Sequence, residues 1–207
     1  MKPLPAVILA GGRATRMNGR DKTLLSLNGQ PILAHILGRL ATQAKPIAIS
    51  ANGNPTRFAR FGLTVLPDPL PDYPGPLAGI LAAMHWAENQ GAPAVITVAG
   101  DSPFLPLNLV EYLQTAAGTS GLPALAAGRD GNGTIHLHPV FGLWPVTLRK
   151  TLQDSLREGQ RKVRQWAAQK DHATAVFNAN VKGTDPFFNI NRPGDLIRAE
   201  QLGRVNT

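Results

Sequence analysis

The stretch Leu9-Ala10-Gly11-Gly12-Arg13-Ala14-Thr15-Arg16-Met17-Asn18-Gly19-Arg20-Asp21-Lys22 confines three arginines and a lysine to a glycine-rich segment. Glycines let backbone N–H groups approach phosphate oxygens closely, and the cations neutralise what the backbone binds. The alternative is a solvated strand-to-helix loop. Two familiar phosphate loops are excluded. Gly19-Arg20-Asp21-Lys22-Thr23 lacks the Gly-x4-Gly-Lys-Ser/Thr frame, and Gly11-Gly12 has no third glycine before Gly19 to make Gly-x-Gly-x-x-Gly. A second candidate is Asp101, just past the apolar run Ala94–Ala99. Magnesium takes one or two carboxylates together with water and substrate phosphate, which a lone strand-end aspartate suits. An N-cap ahead of Pro103 is the structural alternative.

Further along, Asn189 and Asn191 alternate in a short segment, with a turn before Arg192-Pro193 as the plain reading. His136 and His138 would share one face of a strand, but with no cysteine and no third ligand nearby zinc is disfavoured. Gly159-Gln160-Arg161-Lys162-Val163 is a basic loop that could meet an anion or simply face water.

Elements must hold these groups in place. Ala6–Ala10 is a continuous apolar run that stops at a glycine pair, as a buried parallel strand does. Helical spacing follows through Ile32, Leu33, Ile36, Leu37 and Leu40, then strands over 46–50 and 63–66. A second helical stripe runs Leu77, Ile80, Leu81, Met84, and a third Leu107, Leu109, Val110, Leu113. Met84 and Trp86 read as ordinary core and boundary residues. This alternation predicts an α/β chain: a Rossmann-like, open, mostly parallel sheet with helices on both faces. After residue 120 the rhythm changes. Leu122–Ala127, the turn cluster Gly128–Gly133 and Thr134–Trp144 predict a hairpin added to the sheet. A helix through Leu148, Leu152 and Leu156, the segment Val163–Ala168, a strand near 174–177, the segment Phe187–Asn191 and a helix after Pro193 complete the chain. No repeat or long linker divides it, so 1–207 reads as a single domain.

Composition narrows the class. The chain has 207 residues, 43% hydrophobic and 16% charged, a globular mix. With 0 cysteines there is no disulfide scaffold, thiol nucleophile or thiolate metal site. No apolar run reaches the roughly 18 residues of a membrane span, and Gly11-Gly12-Arg13 breaks any secretion-signal pattern. A cytoplasmic protein without a membrane partner is expected. The net charge of +8 favours an anionic partner. Seven of the basic residues lie in 149–170 with two acidic ones. Aromatics are only 6%, so the stacking ladder of single-strand nucleic-acid binding is missing, and small phosphorylated ligands are favoured over nucleic acid.

Leu-Ala-Gly-Gly-x3-Arg-Met-x-Gly-x-Asp-Lys, with Gly75-Pro76-Leu77-Ala78-Gly79, Asp101-Ser102-Pro103-Phe104 and Phe188-Asn189-Ile190-Asn191-Arg192-Pro193-Gly194-Asp195-Leu196, resembles the molybdenum cofactor guanylyltransferases. The resemblance runs over nearly the whole chain. It implies transfer of GMP from GTP to the terminal phosphate of molybdopterin, with release of pyrophosphate and with Mg²⁺ as cofactor. It places the nucleotide on Leu9, Ala10, Gly11, Gly12, Lys22, Asn52, Asp68 and Asp101. Arg16 would join Lys22 and Asp101 in the chemistry, by offsetting charge on the leaving pyrophosphate. Asp101 matches a magnesium ligand and Asn191 its companion. His138 (in the dipeptide His138-Pro139), Arg161, Lys162 and Asn189 would meet the acceptor. Residues 1–118 would then form the nucleotide-binding part and 119–207 the acceptor-binding part. A monomer is expected, docking transiently to molybdoenzymes or chaperones.

Three departures from the family pattern stand out: Asn18 where glycine is usual, Ala99-Gly100 in place of Pro-Cys, and Ser50 where an asparagine is common, with Asn52 two residues on. Cytidylyl or other nucleotidyl transfer to molybdopterin or a sugar phosphate, and a non-catalytic nucleotide-binding partner of molybdoenzymes, are the other readings. Phosphoryl-type transfer needs positioning and charge neutralisation rather than a tuned base, which cations and a carboxylate supply.

Overall fold

The computed structural model describes residues 3–11, 21–70, 75–178 and 185–204, so Gly12 and Arg16 lie outside the described residues. The chain begins with β1 (Ala6–Leu9) and resumes at a hairpin of β2 (Ser26–Leu27) and β3 (Gln30–Pro31). Asn28 and Gly29, both at positive φ, close it with the two-residue turn that matches strand twist. Next come α1 (Ile32–Leu40), β4 (Ile47–Ser50), β5 (Thr64–Leu66), α2 (Pro76–Asn89), β6 (Ala94–Ala99) and α3 (Leu109–Ala117). The remainder is β7 (Ala124–Arg129), β8 (Ile135–Pro145), α4 (Arg149–Arg157), α5 (Val163–Ala168), β9 (Ala173–Asn178) and α6 (Pro193–Arg204). Among the described residues no helix is long and apolar enough to cross a membrane.

The main sheet has seven strands in the order β5-β4-β1-β6-β8-β7-β9. β5, β4, β1 and β6 pair in parallel, β8 runs antiparallel to both neighbours, and β9 is parallel to β7. Strand alternation between two covered faces explains why these runs are mostly apolar. In β1, Ala6 and Ile8 enter one core and Val7 the other; in β6, Ile96 and Val98 face one and Val95 the other. The first core takes the buried stripe Ile32, Leu33, Ile36 and Leu40 of α1, together with α3 and Ala199 of α6. The second takes α2, α4 and α5, with Trp144 and Trp166 tilted against each other at 5.8 Å. α2 lies between the sheet and α4, which is why it is apolar on nearly every side.

The longer strands and helices follow the expected order, while the β2–β3 hairpin and the 3₁₀ helix Pro55–Phe61 were not expected. The third helix starts at Leu109 rather than Leu107, and residues 101–104 form turns, so Asp101 caps no helix. Phe187–Asn191 is turn and irregular backbone, held to the sheet edge by Ile190 N–H donating to the Asp101 carbonyl at 2.9 Å.

A candidate active site at the carboxyl edge of the sheet

Chain order reverses at β1, which has β4 on one side and β6 on the other. Ligands in open α/β sheets bind beyond the strand ends at such a switch point. Register brings those ends level: Leu9 opposes both Ser50 and Ala99, and Ser50 opposes Leu66. Beyond them opens a cleft of about 450 Å³. Leu9, Ala10, Gly11, Lys22, Asp68, Asp101, His138 and Asn189 line it, joined by Ser50, Gly79 and Gly100.

Close packing forms the floor. A Cβ on Gly100 would stand 2.9 Å from the Leu9 carbonyl oxygen, 3.1 Å from Thr23 Oγ1 and 3.3 Å from Ala10 Cα. Glycine therefore lets the end of β6 press against the start of the first loop, where Gly100 N–H donates to Leu9 O at 3.0 Å. A Cβ on Gly79, in the first turns of α2, would meet Ser50 Oγ at 3.0 Å and Leu9 Cδ2 at 3.2 Å. The helix can thus set its N-terminal turn down on the strand ends.

Lys22 is held by an adjacent turn. Asp21 Oδ1 accepts from Thr23 N–H at 3.1 Å and starts a single 3₁₀ turn, Lys22–Leu24. The Lys22 ammonium then reaches across the cleft, donating to Asn191 Oδ1 at 2.8 Å with Asp101 Oδ2 at 3.9 Å. Asn191 is aimed by its backbone: the Asp195 carboxylate accepts from the N–H groups of Asn191 and Arg192, both at 2.9 Å. Asn189 takes a different partner, accepting from the buried Ser102 hydroxyl. Burial raises the Asp101 pKa above its ordinary 3.8; Lys22 and Ser102 pull the other way without reversing it.

The opposite wall comes from β8. Pairing with β7 passes from Leu125–Gly142 to Ala126–His138, so Pro139–Phe141 bulge out of the ladder. The bulge presents Leu137–Phe141 to the cleft. His138 stacks on Phe187 at 4.5 Å, and burial lowers its pKa from 6.5, with the Asp185 charge acting against that. His136 turns away to pair with Asp130 at 2.9 Å.

Not every candidate lines the cleft. Asn52 stands behind Asp68: its Nδ2 donates to Asp68 Oδ2 at 2.7 Å and its Oδ1 accepts from Asp68 N–H at 2.9 Å. Burial raises the Asp68 pKa, with the Asn52 bond opposing. Ser50, not Asn52, faces the cleft. Arg161 and Lys162 are not among the lining residues, and Arg161 donates to the carbonyls of Leu156 and Gln160 where α4 ends. Sequence spacing does not mark Ser50, Thr23, Ser102 or Arg57 as positioning residues. The two hydroxyls Ser50 and Thr23 are only 2% exposed, and burial of a small polar group leaves no trace in a sequence pattern.

A cation site can be tested on this geometry. Asp101 and Asn191 offer a carboxylate and an amide oxygen on either side of one position, and a cation, the Lys22 ammonium, already interacts with both. Two hard oxygens with the remaining positions left to water and phosphate suit magnesium.

Residues 6–174 match the MobA-like NTP transferase domain. A molybdenum cofactor guanylyltransferase of Bradyrhizobium sp. (strain ORS 278) is 46% identical, over 98% of this chain and 94% of that protein. Its namesake in Mesorhizobium japonicum is 44% identical, over 97% and 96%. Among solved structures, molybdopterin-guanine dinucleotide biosynthesis protein A from Archaeoglobus fulgidus superposes with a TM-score of 0.73 at 20% identity, covering 98% of this chain and 100% of that one. The 2-C-methyl-D-erythritol 4-phosphate cytidylyltransferase from Thermus thermophilus gives 0.68 at 17%, covering 96% and 98%. At such identities the two structures speak for the fold alone, whereas the near full-length matches above 40% decide membership. With that sheet, that cleft and those relatives, the chain belongs to the MobA-like NTP transferases and, within them, to the molybdenum cofactor guanylyltransferases.

Proposed function

We propose that this protein transfers GMP from GTP to molybdopterin. A terminal phosphate oxygen of molybdopterin attacks the α-phosphorus of GTP. The new P–O bond forms as the bond to the β-phosphate bridging oxygen breaks, and pyrophosphate leaves with that electron pair. The observation that carries the reading is the meeting of Lys22, Asp101 and Asn191 at the switch point, beside a cleft that His138 and Asn189 also line.

Each residue has a role within that scheme. Leu9, Ala10 and Gly11 present backbone to the nucleotide, and Asp68, braced by Asn52, holds its nucleoside end. Lys22 exchanges its contact with Asn191 for the phosphates and follows charge onto the leaving pyrophosphate. Arg16 is assigned the same task, outside the described residues. Asp101 and Asn191 would hold Mg²⁺, which supplies charge neutralisation at the reacting phosphates when bound. His138 and Asn189 meet the acceptor, so residues 1–118 serve the nucleotide and 119–207 serve molybdopterin.

Pyrophosphate release with each of the four nucleoside triphosphates, with and without molybdopterin, tests the reading. Release is expected with GTP only when molybdopterin is present. A buried group left unpaired by the wrong base costs about 1–3 kcal/mol, so CTP and ATP should turn over about 5- to 150-fold more slowly. Equal turnover with CTP would overturn the guanylyl assignment. Removal of divalent cations should abolish transfer.

A further inference from the structure

We infer that Arg57 is a positioning residue that joins the two grips on the nucleotide, the phosphate end at Lys22 and the nucleoside end at Asp68. The inference rests on the assignment of the cleft to GTP. Arg57 lies on the 3₁₀ helix Pro55–Phe61 between β4 and β5, 36 positions along the chain from Asp21. Its Nε donates to Asp21 Oδ2 at 2.9 Å, and its Nη2 donates to the Asn52 carbonyl at 2.8 Å. Asp21 begins the turn that carries Lys22, and Asn52 grips Asp68 through two hydrogen bonds. One guanidinium therefore ties the turn that carries Lys22 to the pair of Asn52 and Asp68 through a single planar fork.

Three features make this a built arrangement. The next residue, Phe58, is fully buried, with its ring 4.5 Å from the Arg57 guanidinium carbon, so the base of the arginine is anchored. Asn54 accepts from Thr56 N–H at 3.0 Å and fixes the start of the helix. The Asp21 carboxylate lines the cleft one residue before Lys22, where an unpaired negative charge would repel a triphosphate. Pairing with Arg57 offsets that charge, so Asp21 does not add to the carboxylate of Asp101 that already faces the Lys22 ammonium. Lysine could replace the charge but not the planar fork that reaches two acceptors at once.

The test measures GTP binding by titration calorimetry, alongside kcat and KM for GTP, in Arg57→Gln and Arg57→Lys. Each is combined with Asp68→Asn and with Lys22→Ala, and thermal melting monitors folding. A charge-assisted contact at a partly exposed site is worth about tenfold in affinity. Arg57→Gln should therefore weaken GTP binding about tenfold and blunt the further loss from both Asp68→Asn and Lys22→Ala. Arg57→Lys should keep part of the binding, and it serves as the reporter if the glutamine variant folds poorly. Binding within twofold of wild type in a folded variant, or losses that simply add to those of Asp68→Asn and Lys22→Ala, would overturn the coupling. A wild-type protein that binds no GTP would instead overturn the ligand assignment, and the inference with it.

Discussion

Gly100→Ala probes the closest approach in the site. The added methyl would sit 2.9 Å from the Leu9 carbonyl oxygen, a backbone atom that no rotamer change can clear, and 3.1 Å from Thr23 Oγ1. Gly100 is not at positive φ, so its own backbone accepts alanine and the cost comes from these contacts. Overpacking of this kind costs about 1–3 kcal/mol. For a domain near 200 residues each kcal/mol shifts Tm by about 2–4 °C, giving a fall of about 2–12 °C. The strand end must also move away from Leu9, carrying Asp101 relative to Lys22. Displacements approaching 1 Å at reacting groups cost about 10²-fold in rate, so transfer should fall by at least tenfold. Gly38→Ala is the control. It lies inside α1 with nothing within 4 Å of the new methyl, and alanine there should raise stability by about 0.5–1 kcal/mol. Opposite shifts in melting temperature, with activity lost only at Gly100, are expected. Equal melting of the Gly100 variant and wild type would refute the packing argument.

Lys22→Ala should lower kcat by about 10²–10³-fold, because its charge matches negative charge that grows on the leaving group; a raised KM with unchanged kcat would make it a ground-state binder. Asp101→Asn keeps the shape and should cut transfer by orders of magnitude at any Mg²⁺ concentration; near-normal transfer would place the metal elsewhere. Because burial raises the Asp101 pKa, the stability linked to its protonation is present below 3.8 and lost as pH rises, so the Asn variant should melt no lower than wild type at pH 7. His138 shows the opposite linkage: its pKa lies below 6.5, so its contribution is present above 6.5 and lost as pH falls through the folded value. His138→Gln should therefore flatten the decline in Tm below pH 6.5 without abolishing it, since burial depresses the His85 pKa as well; an unchanged slope would count against a buried neutral imidazole.

Sequence by itself determined the order of strands and helices, because apolar periodicity is a local property. Ala6–Leu9 and Ala94–Ala99 lie in helix-covered strands and read as apolar runs, the second interrupted only by Thr97, and α1 shows its stripe at helical spacing. It also marked Lys22 and Asp101, a cation and a carboxylate whose types suit phosphoryl-type transfer. Tertiary structure decided what spacing cannot express. The antiparallel entry of β8 between β6 and β7 depends on pairing across the sheet, which hydrophobic alternation leaves open. The choice of Ser50 over Asn52 to face the cleft follows from β4 ending at Ser50 and from the bond that ties Asn52 to Asp68, 16 positions away. Arg161 and Lys162 read as an anion site along the chain, but neither lines the cleft, and Arg161 serves the end of α4. Arg57 gave no signal, since its meaning lies in Asp21 and Asn52, which only the folded sheet brings within reach of one guanidinium.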